Sequence, residues 1–170
     1  EEEALVSLSG NDNIKTIVLN YNGSKTNEIL GKEEKVIYGD GYITDYIGDK
    51  RYYISSKSFF QVNTIQAEML YDTLKEKLDL KGNEILFDLY SGVGSIGIYL
   101  SDNVAKVYGI EIEPQAVDMA NMNIKHNDDN EIKNDNNNIY ELNIIQKNDN
   151  NTNNNIINNN NQLIKKEDFE

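Results

Sequence analysis

The stretch that decides the fold is Ile85-Leu-Phe-Asp-Leu-Tyr-Ser-Gly-Val-Gly-Ser-Ile-Gly97, a short apolar segment that passes through Asp88 into a glycine-rich loop. An apolar run of this length, bounded by turn residues, is typical of a buried strand. Gly92, Gly94 and Gly97 match the G-x-G-x-x-G fingerprint, in which glycines allow a tight turn and a close approach of the backbone to a ligand. The stretch therefore predicts a strand, a ligand-binding loop and a short helix, in that order.

A second strand and helix follow directly. Residues 105–111 form another apolar run that ends in an acid, Glu111, and Pro114 is well suited to the first position of a helix running to about Asn127. The core face of this helix is expected at Val117, Ala120 and Ile124. Strands that alternate with helices predict an α/β fold with a parallel sheet.

The residues before this unit have a different pattern. From Asn63, apolar residues recur at helical spacing, which predicts a helix with Asn63 as its N-cap and Gly82 as its end. Further upstream, turn residues at Gly39-Asp-Gly41 and Gly48-Asp49 separate short β-type runs, which predict an antiparallel sheet or a set of hairpins. These runs are residues 16–19, 35–38, 42–47 and 51–54.

The last 43 residues, 128–170, are dominated by asparagine, which occupies 16 positions. Their apolar residues show no sustained period, so too little surface can be buried to offset the entropy of ordering the chain. We expect this tail to be disordered. The sequence is thus divided into a β-rich segment at residues 1–57, a partial cofactor-binding domain at 58–127 and a low-complexity tail at 128–170.

Composition narrows the classes of function. The chain has no cysteine, which excludes disulfides, thiolate metal sites and a cysteine nucleophile within these residues, and no metal site is expected. No apolar run approaches the roughly 20 residues that cross a bilayer, so we expect no membrane partner. A net charge of −13, with Arg51 as the one arginine, disfavours a broad phosphate-binding surface. The chain starts with three glutamates, unlike the basic start of a signal peptide. A cytoplasmic location is therefore the default expectation, with an organelle left open. The oligomeric state is not determined by the sequence.

Asp88 separates two classes of ligand that fit the glycine loop. The pyrophosphate of a dinucleotide would meet a like charge at Asp88, which is unfavourable in a partly dry site. The sulfonium and ammonium groups of S-adenosylmethionine would instead be attracted to it. The sequence therefore favours S-adenosylmethionine over the alternative, a nicotinamide-dependent oxidoreductase, and in both cases Glu111 can accept hydrogen bonds from ribose hydroxyls.

Several runs of the sequence resemble one family. Ile54-Ser-Ser-Lys-Ser-Phe-Phe-Gln-Val-Asn63, Phe87-Asp-Leu-Tyr-Ser-Gly-Val-Gly94 and Val107-Tyr-Gly-Ile-Glu111 are similar to the RNA uracil-5-methyltransferases that modify ribosomal and transfer RNA. The resemblance covers about residues 14–127. It implies the first half of a Rossmann-like S-adenosylmethionine-dependent methyltransferase fold, preceded by a small antiparallel β-rich segment and followed by the disordered tail. It also implies RNA, either rRNA or tRNA, as the partner.

The resemblance carries site residues with it. Gln61 is expected to contact the methionine end of the cofactor, Tyr90 and Ser95 to line the cofactor loop, and Glu111 to hold the ribose. The predicted cofactor-binding residues also include three that the residue pattern indicates: Asp88, Gly92 and Gly94. Phe59 and Phe60 are expected to be core aromatic residues, because apolar pairs beside a strand usually pack inside.

The chain departs from the family pattern where the chemistry is done. Carbon 5 of uracil is a poor nucleophile, so the family adds a cysteine thiolate to carbon 6, and a base later removes the carbon 5 proton. These residues and an Asp-Pro-Pro-type segment lie nearer the C-terminus in the family. None is present here, so we expect no catalytic residue, no activity from this chain alone and a chain that ends within the fold. The alternative is a non-catalytic remnant that binds S-adenosylmethionine.

Overall fold

The computed structural model describes residues 2–23, 25, 27, 29–130, 139–141, 143–144, 156–158 and 163–164. Its elements are, in chain order, α1 (Glu2–Leu8), β1 (Ile17–Tyr21), β2 (Glu33–Tyr38), β3 (Tyr42–Ile47), β4 (Lys50–Ser55), α2 (Thr64–Leu78), β5 (Ile85–Leu89), α3 (Ser95–Leu100), a 3-10 turn (Ser101–Asn103), β6 (Lys106–Ile110), α4 (Pro114–Asn130), β7 (Ile139–Glu141), β8 (Asn143–Ile144), β9 (Ile156–Asn158) and β10 (Leu163–Ile164). The mixed α/β architecture predicted from the sequence is confirmed. Within the described ranges, no helix is long and apolar enough to cross a bilayer.

The β-rich N-terminal segment forms two antiparallel pairs. β1 pairs with β2, and β3 pairs with β4 through a turn at Gly48, where φ is +59°. All four predicted runs are strands, with ends that differ from the prediction by at most two residues. The helix α1 was not predicted, since its seven residues are too few to show a helical period.

The predicted helix after Asn63 is confirmed at its start. The Asn63 side chain accepts a hydrogen bond from the backbone N–H of Gln66 at 3.1 Å, which satisfies one of the free donors of the first turn. The predicted end at Gly82 is wrong, because α2 ends at Leu78 and Asp79 adopts the left-handed conformation with φ of 50°. A short polar side chain tolerates that conformation, so no glycine is needed to end the helix.

The parallel sheet has the strand order β5-β6-β7. β5 and β6 run side by side with Asp88 opposite Gly109, so their carboxyl ends meet at one edge. The prediction that β5 is buried applies to one of its faces: Asp88 is buried, whereas Ile85, Phe87 and Leu89 are 46–60% exposed. The sheet therefore buries the face that carries Asp88.

The structure differs from the expected disorder of the tail at several places. Helix α4 continues to Asn130, β7 adds to β6 in parallel, and β8, β9 and β10 form a separate antiparallel sheet. The free edge of β6 explains why β7 forms, because backbone N–H and C=O groups at that edge gain hydrogen bonds when β7 pairs with them. The rest of the predicted disordered segment lies outside the described residues.

One cluster of buried residues joins the N-terminal strands to the α/β part. Ile47 and Tyr52 pack with Ala67, Tyr71 and Ile98, which lie on α2 and α3. The cluster therefore includes residues on both sides of the sequence division placed between residues 57 and 58. The predicted core face of α4 is confirmed: two of its residues are buried and the third packs against them, namely Val117, Ala120 and Ile124.

Two asparagines attach α4 to the edge of β4. The fully buried Asn123 accepts a hydrogen bond from the Tyr53 N–H at 2.6 Å and donates to the Val93 and Tyr53 carbonyls at 3.0 and 3.3 Å. One helical turn later, Asn127 accepts from the Arg51 N–H at 3.1 Å and donates to the Arg51 carbonyl at 2.9 Å. Their side-chain amides thus form hydrogen bonds with the backbone of β4, as a neighbouring strand would. The bond to the Val93 carbonyl also attaches α4 to the glycine loop.

Candidate functional site

A cavity of about 420 Å³ lies at the carboxyl ends of β5 and β6. This is the edge of an α/β sheet at which ligands bind, and the volume is within the range of small-molecule sites. Six of the seven predicted cofactor-binding residues line it: Gln61, Asp88, Tyr90, Gly92, Ser95 and Glu111. The remaining lining residues are Lys57, Phe59, Tyr71, Leu89, Ser91, Ile96, Glu113 and Ala116.

The seventh predicted residue, Gly94, lies outside the lining. It has φ of +78°, and a Cβ atom built there would stand 3.2 Å from Ile98 Cδ1 and 3.6 Å from Ala120 Cβ. A side chain at this position would therefore be strained and would crowd the packing of α3 against α4. The geometry gives Gly94 a structural role in shaping the loop, and its role as a cofactor contact stays a prediction.

Asp88 is the buried acid of the cavity. Its Oδ2 atom accepts a hydrogen bond from the Gly97 N–H at 3.0 Å, which holds the carboxylate against the start of α3. Burial raises the pKa of Asp88, the Gly97 N–H opposes that rise, and the charge of Glu111 adds to it. A carboxylate whose charge is disfavoured in this way gains most from a cationic ligand group.

Glu111 connects the end of β6 to the glycine loop. Its Oε2 atom accepts from the Gly92 N–H at 2.8 Å, and its Oε1 atom accepts from the N–H groups of Ile112 and Glu113 at 2.7 and 2.9 Å. A carboxylate has about four lone-pair positions. These three backbone N–H groups therefore leave acceptor capacity for a ligand. Glu111 therefore fixes the shape of the loop and still presents an acceptor to the cavity.

Tyr90 has a strained backbone beside the cavity. Its φ is 61°, a left-handed value that is unfavourable for a large side chain, and its side chain is 90% exposed. Such strain of about 1–3 kcal/mol is found where the surrounding structure imposes it, often at ligand sites. Here the loop holds Tyr90 at the mouth of the cavity.

The two neighbouring phenylalanines have different environments. Phe60 packs on the core, with its ring 5.4 Å from the ring of Tyr52, as predicted. The prediction for Phe59 is wrong, because its side chain is 74% exposed and lines the cavity. Of the two adjacent rings, that of Phe60 therefore contributes to the core and that of Phe59 to the cavity.

Some lining residues were missed by reasoning from the sequence. The hydroxyl of Ser91 is buried and has no hydrogen-bond partner among the described residues. The hydroxyl of Tyr71, a buried residue, contacts Ser95 Oγ at 3.0 Å. Tyr71 has an apolar ring at a helical core position, so its sequence signal was that of a core residue, and only the folded chain shows its hydroxyl at the cavity.

The charges of the lining favour a ligand with a cationic part. Asp88, Glu111 and Glu113 contribute three carboxyl groups, and Lys57 is the one basic residue among the lining residues. The described part of the chain contains no group of three or more His, Cys, Asp or Glu residues placed to hold a metal ion. The negative balance fits the sulfonium and ammonium groups of S-adenosylmethionine better than it fits a pyrophosphate.

Comparison with known proteins places the chain in a family. The tRNA (Uracil-5-)-methyltransferase family model matches residues 25–151. An uncharacterized RNA methyltransferase of Clostridium acetobutylicum is 50% identical over 114 residues, which make up 67% of this chain and 25% of that protein. One from Lactococcus lactis is 49% identical over 116 residues, or 68% of this chain and 25% of that protein. The chain spans about a quarter of the length of these curated relatives.

A solved structure agrees with the sequence comparisons. Pyrococcus abyssi tRNA (uracil-54, C5)-methyltransferase, crystallised in complex with S-adenosyl-L-homocysteine, superposes with a TM-score of 0.61 at 28% identity. The superposition covers 81% of this chain and 32% of that chain. The family match extends over most of the sequence and includes the strands and the loop that form the cavity. The chain therefore belongs to the tRNA (Uracil-5-)-methyltransferase family.

Proposed function

We propose that this chain provides the cofactor-binding part of an S-adenosylmethionine-dependent RNA methyltransferase that acts on carbon 5 of a uridine in rRNA or tRNA. The observation that carries the proposal is the pair of carboxylates, Asp88 and Glu111, at adjacent strand ends in one cavity. S-adenosyl-L-homocysteine in the related Pyrococcus abyssi structure supports this choice of cofactor.

The lining residues have distinct proposed roles. Gln61 contacts the methionine end of the cofactor, Asp88 stabilises its cationic end, and Glu111 accepts hydrogen bonds from the ribose. Tyr90 and Ser95 contact the cofactor along the loop, whose shape depends on Gly92 and Gly94. Bound S-adenosylmethionine supplies an electrophilic methyl group, and the residues of this chain bind it, orient it and exclude water from it.

The chemical step needs groups beyond these residues. Attack by carbon 5 of uracil requires a nucleophile that first adds to carbon 6 and a base that then removes the carbon 5 proton. The 170 residues include no cysteine. We infer that this chain alone binds cofactor without methylating RNA and that a nucleophile supplied from outside these residues completes the site. A cofactor-binding protein without catalysis is the second candidate, supported by the same lack of cysteine.

Equilibrium binding tests the proposal. Isothermal titration calorimetry of the full chain should show S-adenosylhomocysteine binding that competes with S-adenosylmethionine and is lost in Glu111→Ala. NAD, which fits the same glycine fingerprint, should not bind. Tight NAD binding without S-adenosylhomocysteine binding would reject the proposal, and methylation of uridine by the isolated chain would reject the inferred lack of activity.

A further inference from the structure

Two tyrosine hydroxyls contact Ser95 at the start of α3. The Tyr71 hydroxyl contacts Ser95 Oγ at 3.0 Å, and the Tyr52 hydroxyl donates to the Ser95 carbonyl at 3.1 Å. Tyr71 is 2% exposed, yet both it and Ser95 line the cavity. A buried residue thus contacts the side-chain hydroxyl of Ser95 at a position that lines the cavity.

The Tyr71 ring has little freedom to move. It lies in the core cluster, and the ring of Tyr99 meets it edge to face at 5.4 Å. The Tyr99 hydroxyl is directed elsewhere, since it donates to Asp72 Oδ1 at 2.8 Å. A rigid phenol beside a serine stabilises one of the three staggered rotamers that the serine side chain would otherwise populate.

We propose that Tyr71 is a positioning residue that fixes the Ser95 hydroxyl as a hydrogen-bond donor to an acceptor group on the bound cofactor. This inference rests on the proposed function. The direction of the hydrogen bond is part of the proposal: Tyr71 donates to Ser95 Oγ, which leaves the serine proton for the ligand.

The protonation of Tyr71 is compatible with this direction. Burial raises the pKa of Tyr71, the hydrogen bond with Ser95 opposes the rise, and the nearby charge of Asp88 adds to it. The phenol therefore keeps its proton throughout the neutral range and can act as a donor there. With a donor already on its oxygen, Ser95 turns its own proton towards the cavity.

A double-mutant cycle with S-adenosylhomocysteine as the probe tests the proposal on the full chain. Tyr71→Phe removes the hydroxyl and keeps the ring, and we expect binding about threefold to tenfold weaker. In the Ser95→Ala background the same change should have no further effect, because the hydroxyl that it positions is gone. Tyr99→Phe is the matched control, which removes a hydroxyl from the same aromatic group without touching Ser95 and should bind as the wild type does.

The outcomes separate the two proposals. Absence of S-adenosylhomocysteine binding by the wild type overturns the proposed function, and the role of Tyr71 with it. If the wild type binds but Tyr71→Phe binds equally well, or weakens both backgrounds by the same factor, only the role of Tyr71 is overturned. Should Tyr71→Phe fail to unfold cooperatively, Ser95→Thr, which keeps a hydroxyl, is compared with Ser95→Ala. Equal affinity of these two variants also overturns the role.

Discussion

Truncation of Asn123 should destabilise the whole fold, although the residue lies on a helix and carries no charge. Asn123→Ala removes three hydrogen bonds, with the Tyr53 N–H, the Tyr53 carbonyl and the Val93 carbonyl, in a position with no solvent exposure. Each bond contributes about 1 kcal/mol, and the buried Val93 carbonyl would lose its hydrogen bond without regaining water. We expect a loss of about 3 kcal/mol in the free energy of unfolding, or a fall of about 10 °C in Tm.

Urea unfolding of the full chain, followed by far-ultraviolet circular dichroism, measures this loss. Asp118→Ala, on the exposed face of α4, is the control and should change stability by less than about 0.5 kcal/mol. Asn123→Leu separates the two possible causes, because it restores the side-chain volume without the hydrogen bonds. It should remain nearly as unstable as Asn123→Ala.

The reasoning would be refuted by an Asn123→Leu variant as stable as the wild type, since the loss would then come from the cavity alone. It would also be refuted if Asn123→Ala lost no more than the control. Because Asn123 holds the Val93 carbonyl in the glycine loop, Asn123→Ala should in addition weaken S-adenosylhomocysteine binding under conditions where the chain is still folded.

Three further variants test other features. Burial raises the pKa of Asp88, so the folded chain holds that proton more tightly than the unfolded chain and loses stability as pH rises through the raised pKa. The Tm of Asp88→Asn should therefore be higher than that of the wild type at pH 7. The difference in Tm should shrink as the pH falls towards about 3. Tyr90→Gly should relieve the left-handed strain, gain about 1 kcal/mol in urea unfolding and weaken cofactor binding, whereas a loss of stability would argue against strain. Asn63→Ala removes the N-cap of α2 and should lower the free energy of unfolding by about 1 kcal/mol. An unchanged free energy of unfolding would show that the cap is dispensable.

Much of the candidate site follows from local sequence patterns. The acids that end two successive apolar runs, Asp88 and Glu111, must meet when those runs pair in parallel, and the glycines between them fix a loop at the same edge. Of the seven predicted residues, Asp88, Gly92 and Glu111 line one cavity for this reason. The family resemblance, and not the local pattern, indicated the other three that line it: Gln61, Tyr90 and Ser95. Gly94 is the exception, since a fingerprint identifies the glycines of a loop without showing which of them faces the ligand and which faces the neighbouring helix.

Other features were beyond local reasoning because they depend on which surfaces meet. Phe59 and Phe60 are adjacent and chemically identical, and only the folded chain shows that the first lines the cavity and the second packs in the core. The asparagine tail illustrates the same limit. Its composition favours disorder, but β7 gains hydrogen bonds from the edge of β6, which no property of residues 139–141 alone could indicate.

The sequence by itself determined the order of the strands and helices from β1 to α4, the glycine loop, the family and the acids of the cavity, because each is encoded by residues close together in the chain. The tertiary structure decided the partners of single polar atoms. Asn123 is one among many asparagines until α4 lies against β4, and Tyr71 has the pattern of a core residue until α2 brings its hydroxyl to Ser95. Hydrogen bonds depend on distance and direction to within a fraction of an ångström, so they are set only when distant segments pack.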